Sequence, residues 1–179
     1  MARYGEKHTI HKGKMGALQI SPIPPTWSAI DSKGNIKVTK SGALLFEMAP
    51  FLKKDGDNLT YDWAKKKVTF AFGIPDIEKV VEAYSTGNKV DLIHDTDKGM
   101  KKMSWLPGEG DYEGTWRVSL ATTKGEEKLS AMIALSYGEM RVLVELMVSI
   151  VPSLLGWNAS FLDQKVERDE AKVNTQNES

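Results

Sequence analysis

A chain of 179 residues is long enough for one domain with a sizeable core, and 41% hydrophobic with 27% charged residues is ordinary for a soluble globular protein. Formal net charge is zero, so the total alone does not point to nucleic acid, and the absence of cysteine excludes disulfides, thiol catalysis and Cys-ligated metal. The charge is nevertheless uneven: Met1–Gly73 holds 12 Lys+Arg against 6 Asp+Glu, a net +6, and Ile74–Ser179 holds 12 against 18, a net −6. Such asymmetry fits a basic face on a neutral body.

Taken in chain order, Thr9–Ile20 is expected to be one strand, ended by the corner Pro22-Ile23-Pro24-Pro25 because proline cannot donate to a ladder. A second strand is expected over Trp27–Thr39 with a turn at Asp31–Asn35. A third, Gly42–Pro50, follows a hairpin turn at Lys40-Ser41-Gly42. After a loop at Leu52–Asn58 comes a fourth, Lys66–Gly73, with Val68, Phe70 and Phe72 on one face. The period then changes. Ile74, Ile77, Val80, Val81 and Tyr84 recur at helical spacing, Pro75 sits in the first turn, and Gly87 is a stop.

The second half repeats the plan. Lys89–Asp95, Lys101–Pro107, Thr115–Thr123 and Lys128–Leu135 read as strands, with Trp116, Val118 and Leu120 on one side of the third and Leu129, Ala131, Ile133 and Leu135 inward on the fourth. Ser136 and Glu139 then form a capping box at the start of a helix. From Val142 to Val151 that helix is apolar almost all round, interrupted only by Glu145 and Ser149. Such a helix needs cover on every side. Either both sheets of the monomer enclose it, or copies of the chain do, with Leu143, Leu146, Met147 and Ile150 as the oligomer interface. The expected organisation is an N-terminal arm (1–8), one folded domain (9–162) and a disordered polar tail (163–179). The fold class is α+β, with two antiparallel four-stranded sheets and two helices in the order β4-α-β4-α.

Catalytic constellations are thin, and a binding protein rather than an enzyme is expected. His8 and His11 are three apart on a strand and face opposite sides, so they do not chelate one ion. His94-Asp95 can be read as a base and its orienter or as a strand-end hydrogen bond. Asp95-x-Asp97 and Asp55-Gly56-Asp57 lack the further ligands of a calcium loop. No phosphate loop is present, and no metal or cofactor is expected. No signal or transit peptide is visible, and the longest apolar stretch is too short to cross a bilayer, so a cytoplasmic, nucleoid or mature organellar protein is expected, with no membrane partner.

Binding features are richer. Lys12 and Lys14 are two apart and would share one face of a strand, with Gly13, Gly16 and Ala17 keeping the surface low between them. Lys33, Lys37, Lys40, Lys65, Lys66 and Lys67 are interleaved with Trp27, Tyr61 and Trp63. Basic residues alternating with aromatics on a sheet suit single-stranded nucleic acid, because charge holds phosphate and rings stack on bases. Core packing is the competing reading for each ring; it is preferred for Trp116 and stands level for Trp63.

Five stretches in order carry a family resemblance: "KGKMGAL" (Lys12–Leu18), "KVTKSGALLFEMAP" (Lys37–Pro50), "YDWAKKKVTFAF" (Tyr61–Phe72), "HD" (His94-Asp95) and "VPSLLGW" (Val151–Trp157). Over Lys12–Ala159 the chain resembles the Whirly family of single-stranded-DNA-binding proteins. The resemblance implies sheets packed across each other with helices between and below, a homotetramer with helices at its centre, and single-stranded DNA gripped by strand edges of neighbouring subunits. It also implies a role in DNA maintenance, recombination or repair, replication or transcription. On this basis Lys12, Gly13, Lys14, Gly16, Trp27, Lys37, Tyr61, Trp63, Lys65 and Lys67 are the expected nucleic-acid contacts. Guide-RNA-binding proteins of kinetoplastid mitochondria share the fold, so RNA stays open as a partner, as does a scaffold without nucleic-acid affinity. Met15 and Gly16 depart from the family's Ala-Ala pair.

Overall fold

The computed structural model describes residues 7–97 and 99–157. Alternating apolar residues build two antiparallel sheets and aim one face of each at the other. Strands β1 (His8–His11) and β2 (Gly16–Ile23) form a hairpin. Two short strands, β3 (Thr26–Trp27) and β4 (Val38–Lys40), pair only with each other as a ribbon. The 13-residue β5 (Ala43–Asp55) pairs with β2 in the register Gly16↔Pro50 to Ile23↔Ala43. Its other flank is shared by β6 (Asn58–Tyr61), beside Phe51–Asp55, and β7 (Val68–Phe72), beside Leu44–Met48. The first sheet therefore has five strands, yet is at most four strands wide, where β1, β2, β5 and β7 lie side by side.

After helix α1 (Ile74–Thr86), strands β8 (Val90–Thr96), β9 (Gly99–Pro107), β10 (Thr115–Lys124) and β11 (Glu127–Ser136) make the second sheet as a simple meander. Helix α2 (Tyr137–Leu154) ends the described chain. Leu18, Ile20, Phe46, Met48, Phe70 and Phe72 from the first sheet meet Met103, Trp105, Val118, Leu120, Ile133 and Leu135 from the second. Ile77, Val80, Met140, Leu143 and Met147 close the core from the helices. Burying each large side chain contributes about 1.5–3 kcal/mol.

Both helix starts are as the sequence implies. At α1 the Gly73 N–H donates to Asp76 Oδ2 at 3.0 Å, and Gly87 takes the left-handed cap with φ 69°. At α2 the Ser136 N–H donates to Glu139 Oε2 at 2.7 Å, and the Glu139 N–H donates to Ser136 Oγ at 3.3 Å. The four strands of the second half and the burial alternation of β7 also match expectation.

The first half differs in five places. Thr9–Ile20 is two strands: Lys12–Met15 is a turn in which Gly13 has φ 53°, the Met15 N–H donates to Lys12 O and the Lys12 N–H donates to Gly16 O, both at 2.9 Å. Pro22 does not end β2, because it lies past the end of β1, on a flank where a missing donor costs no ladder bond. Trp27–Thr39 is a loop between two short strands, although its expected turn forms, with the Gly34 N–H donating to Asp31 O at 3.0 Å. Lys40-Ser41-Gly42 is a corner and not a hairpin; the Gly42 N–H donates to Leu154 O at 2.8 Å, and a Cβ on Gly42 would meet Ile23 O at 2.5 Å. Leu52–Asn58 is the β5–β6 hairpin, turning at Gly56 with φ 58°.

Helix α2 needs a further correction. Leu143 and Met147 are fully enclosed by the sheets and α1, and Ile150 packs half-buried against the same core, so three of the four expected interface residues serve the monomer. The open side of α2 carries Val142, Leu146 and Val148, which are 49%, 39% and 52% exposed. The monomer therefore encloses one side of the helix and leaves the other open. The arm 1–8 falls mostly, and the tail 163–179 wholly, outside the described residues.

Candidate nucleic-acid interface

On the first sheet, residues alternating with the core side chains point to the opposite face. There His11 lies beside Ala17 and Ala17 beside Ala49, and the two alanines leave a shallow floor. Tyr61 at the end of β6 covers that floor, its hydroxyl donating to Gly13 O at 3.2 Å. The Tyr61 ring stacks on His11 at 5.1 Å and meets Phe51 edge-on at 6.4 Å. Trp63 packs half-buried on the same group. The level choice for Trp63 thus resolves as partial packing with one part open, and the low floor expected to admit nucleic acid is filled by the chain's own Tyr61.

Around these rings lie lysines in exposed turns. Lys14 follows the glycine whose carbonyl holds Tyr61. Lys65 and Lys66 are displayed by the turn after Trp63, which buried Asp62 shapes: Asp62 Oδ1 accepts from the Lys65 N–H at 3.0 Å and Asp62 O from the Lys66 N–H at 3.2 Å. Lys53 lies on the exposed end of β5. None of these four lysines has an ion pair among the described residues.

Two other expected contacts are engaged. Glu47, two residues from Ala49 on the same face and nearly buried, accepts from Lys7 Nζ at 2.6 Å and from Lys67 Nζ at 2.7 Å. Lys12 Nζ bonds Glu139 Oε2, the atom that also accepts from Ser136 Oγ at 2.8 Å. Burial raises the pKa of each carboxyl, but the hydrogen bonds outweigh it and hold both below the usual glutamate range: Lys67 and Lys7 for Glu47, Lys12 and Ser136 for Glu139.

Three expected contacts sit elsewhere or serve packing. Gly16 is buried where the sheets approach; a Cβ would meet Met132 O at 2.8 Å and Ala49 O at 2.9 Å, both backbone atoms. Lys12 and Lys14 belong to the turn and do not share a strand face. Trp27 and Lys37 belong to the ribbon beyond the Ile23 end of β2, roughly 23 Å from the Lys12 turn at the usual rise per strand residue. There the Trp27 ring lies on Gly156. His94 Nε2 hydrogen-bonds Asp76 Oδ2 at 3.0 Å and stacks on Phe70 at 4.1 Å, so it ties β8 to the start of α1. No group of three metal-ligating side chains occurs among the described residues.

His11, Phe51 and Lys53 belong to this surface but were not foreseen. The signal for His11 was its pairing with Ala17, legible only once Lys12–Met15 is seen as a turn.

Residues 10–146 match the Whirly family model, described as Whirly transcription factor. The chain is 30% identical over 183 residues to the single-stranded DNA-binding protein WHY1, chloroplastic, of Arabidopsis thaliana, covering 97% of this chain and 65% of that protein. It is 30% identical over 168 residues to WHY3 of the same plant, covering 88% and 59%. The chain thus spans less than two thirds of the length of these relatives. Crystal structures of Arabidopsis thaliana WHY3 and WHY1 superpose with TM-scores of 0.76 and 0.73 at 26% identity, covering 91% and 88% of this chain and 95% and 94% of theirs. A guideRNA-binding protein complex bound to a gRNA shares the fold at a TM-score of 0.51 and 8% identity, over 81% of this chain and 88% of that one. With its antiparallel sheets, two capped helices and these matches, the chain belongs to the Whirly family.

Proposed function

We propose that this protein binds single-stranded DNA with little sequence preference, on the outer face of the first sheet. The observation that carries the reading is the cluster His11, Tyr61, Phe51 and Trp63 rimmed by Lys14, Lys53, Lys65 and Lys66. Rings offer a face to any base, and unpaired ammonium groups hold phosphate. The relatives named single-stranded DNA-binding proteins support it.

The same reading includes assembly. Val142 and Leu146, one turn apart on the open side of α2, form a short apolar stripe that would forfeit about 25 cal/mol for each Å² left wet. A second copy presenting the same stripe covers it, and a tetramer built on α2 sets several such sheets around one strand of DNA. Fluorescence anisotropy with labelled oligo-dT tests the site: Trp63→Ala is expected to weaken binding by about 1–3 kcal/mol if one base stacks there. Unchanged affinity with a folded variant would place the strand elsewhere. Oligo-rU in the same titration separates a DNA binder from an RNA binder.

A further inference from the structure

The basic face carries two carboxylates beside the aromatic cluster, an unusual arrangement for a surface meant to meet phosphate. Glu47 lies in the row next to the aromatic cluster, with Gln19 on one side and Thr69 on the other. Its two carboxylate oxygens are each taken by a lysine, Lys7 on one and Lys67 on the other. Glu139 takes Lys12, from the turn that also holds Tyr61 in place. Three lysines of the basic face are therefore held within the monomer by two carboxylates that stay ionised at neutral pH and offset two of their three charges.

We propose that Glu47 and Glu139 are specificity-determining residues, which favour single strands over duplex by withholding Lys7, Lys67 and Lys12 from phosphate. This rests on the reading of the site as a single-strand binder. Duplex DNA offers no exposed base faces, so sequence-independent duplex binding draws on counterion release alone, and each neutralised phosphate contributes a slope of about −0.9 in log K against log salt. A single strand gains less per phosphate, about −0.7, but adds stacking on the rings. Every lysine released onto the surface therefore helps duplex more than single strand. Withholding three lowers the charge-driven term and leaves the choice to the rings.

The magnitude follows from those slopes. Removing one carboxylate charge shifts selectivity by about 0.2 log units per tenfold salt dilution from 1 M, and removing both shifts it by about 0.4. At 0.1 M salt the preference for single strand should fall by up to about 2.5-fold in the double variant.

The test uses the full chain, with oligo-dT and a duplex of equal length titrated over 0.05–0.5 M salt. Glu139→Gln and Glu47→Gln are measured singly and together. Glutamine keeps a capping-box acceptor at 139, so α2 retains its start. The duplex slope is expected to steepen by up to about 0.9 for Glu139→Gln and up to about 1.8 for the pair, with selectivity falling as duplex affinity rises. Unchanged slopes and selectivity in folded Glu139→Gln protein would overturn the proposal even if Glu47→Gln fails to fold. Loss of duplex and single-strand affinity together in folded Glu139→Gln would overturn it too, because the carboxylate would then be placing Lys12 for contact. Failure of the wild type to bind oligo-dT would instead sink the underlying reading of the site.

Discussion

The indole of Trp27 lies directly on Gly156: a Cβ at that glycine would come within 2.7 Å of two ring carbons and within 2.8 Å of Val38 Cγ2. Gly156 also has φ 77°, a conformation that side chains rarely adopt. The tryptophan from the ribbon and the glycine after α2 thus form one lock, joining the ribbon to the segment that follows α2. Gly156→Ala is expected to cost at least about 1–3 kcal/mol from overpacking plus strain. Trp27→Ala should partly rescue it by removing the ring. Urea midpoints of the two single variants and the double variant check this; strict additivity would contradict the contact.

Gly16 makes a parallel point at the junction of the sheets. Gly16→Ala sets a methyl against two backbone oxygens that no side chain rotation can move. A loss of about 1–3 kcal/mol is expected in thermal unfolding, with oligo-dT affinity of the folded fraction retained. Lost affinity at unchanged stability would restore Gly16 as a contact.

Much of this architecture was legible in the sequence, and the exceptions share a cause. Helix α1, helix α2 and the four strands of the second sheet follow from local signals: Pro75, Gly87, the Ser136–Glu139 box and the alternation through Trp116, Val118 and Leu120. The first sheet depends on non-local pairing. Lys12–Met15 turns because Gly13 adopts a left-handed conformation, and nothing beside it distinguishes that glycine from one kept small for a ligand. The partners of Lys12 and Lys67 lie on other elements, so two lysines that read as free in the sequence are neutralised in the fold. Trp27 read as a stacking ring for the same reason, since its partner Gly156 lies near the far end of the domain.

Acid should loosen the protein through those same ion pairs. Glu47 and Glu139 have folded pKa values below the ordinary 4.5, so their contribution is present above that value and is lost as pH falls through the lower folded values. Urea midpoints measured from pH 7 down to pH 3 should drop in the wild type. The drop should be shallower in Glu47→Gln, which has no carboxyl there to protonate. An equal drop would mean the Glu47 pairs do not contribute.

The two sides of α2 predict opposite failures. Met147→Glu buries a charge in the monomer core and should prevent folding. Leu146→Glu places its charge on the open stripe and should leave a folded chain of reduced particle mass by light scattering. A wild type that is monomeric at micromolar concentration would remove the case for assembly through this face.

Of the two lysines in the Lys12–Met15 turn, only Lys14 is free of an ion pair among the described residues. Lys14→Ala should flatten the oligo-dT salt slope by about 0.7, one phosphate's worth. An unchanged slope would move the phosphate path away from this turn.

The most direct test of the central claim is the affinity of the wild-type protein for oligo-dT against a duplex of the same length, at one salt concentration and across a salt series. The rings of His11, Phe51 and Trp63, packed over buried Tyr61, can stack only on unpaired bases, so tighter binding of oligo-dT is predicted, and it should widen as salt rises and charge is screened. Equal or tighter binding of the duplex would contradict it.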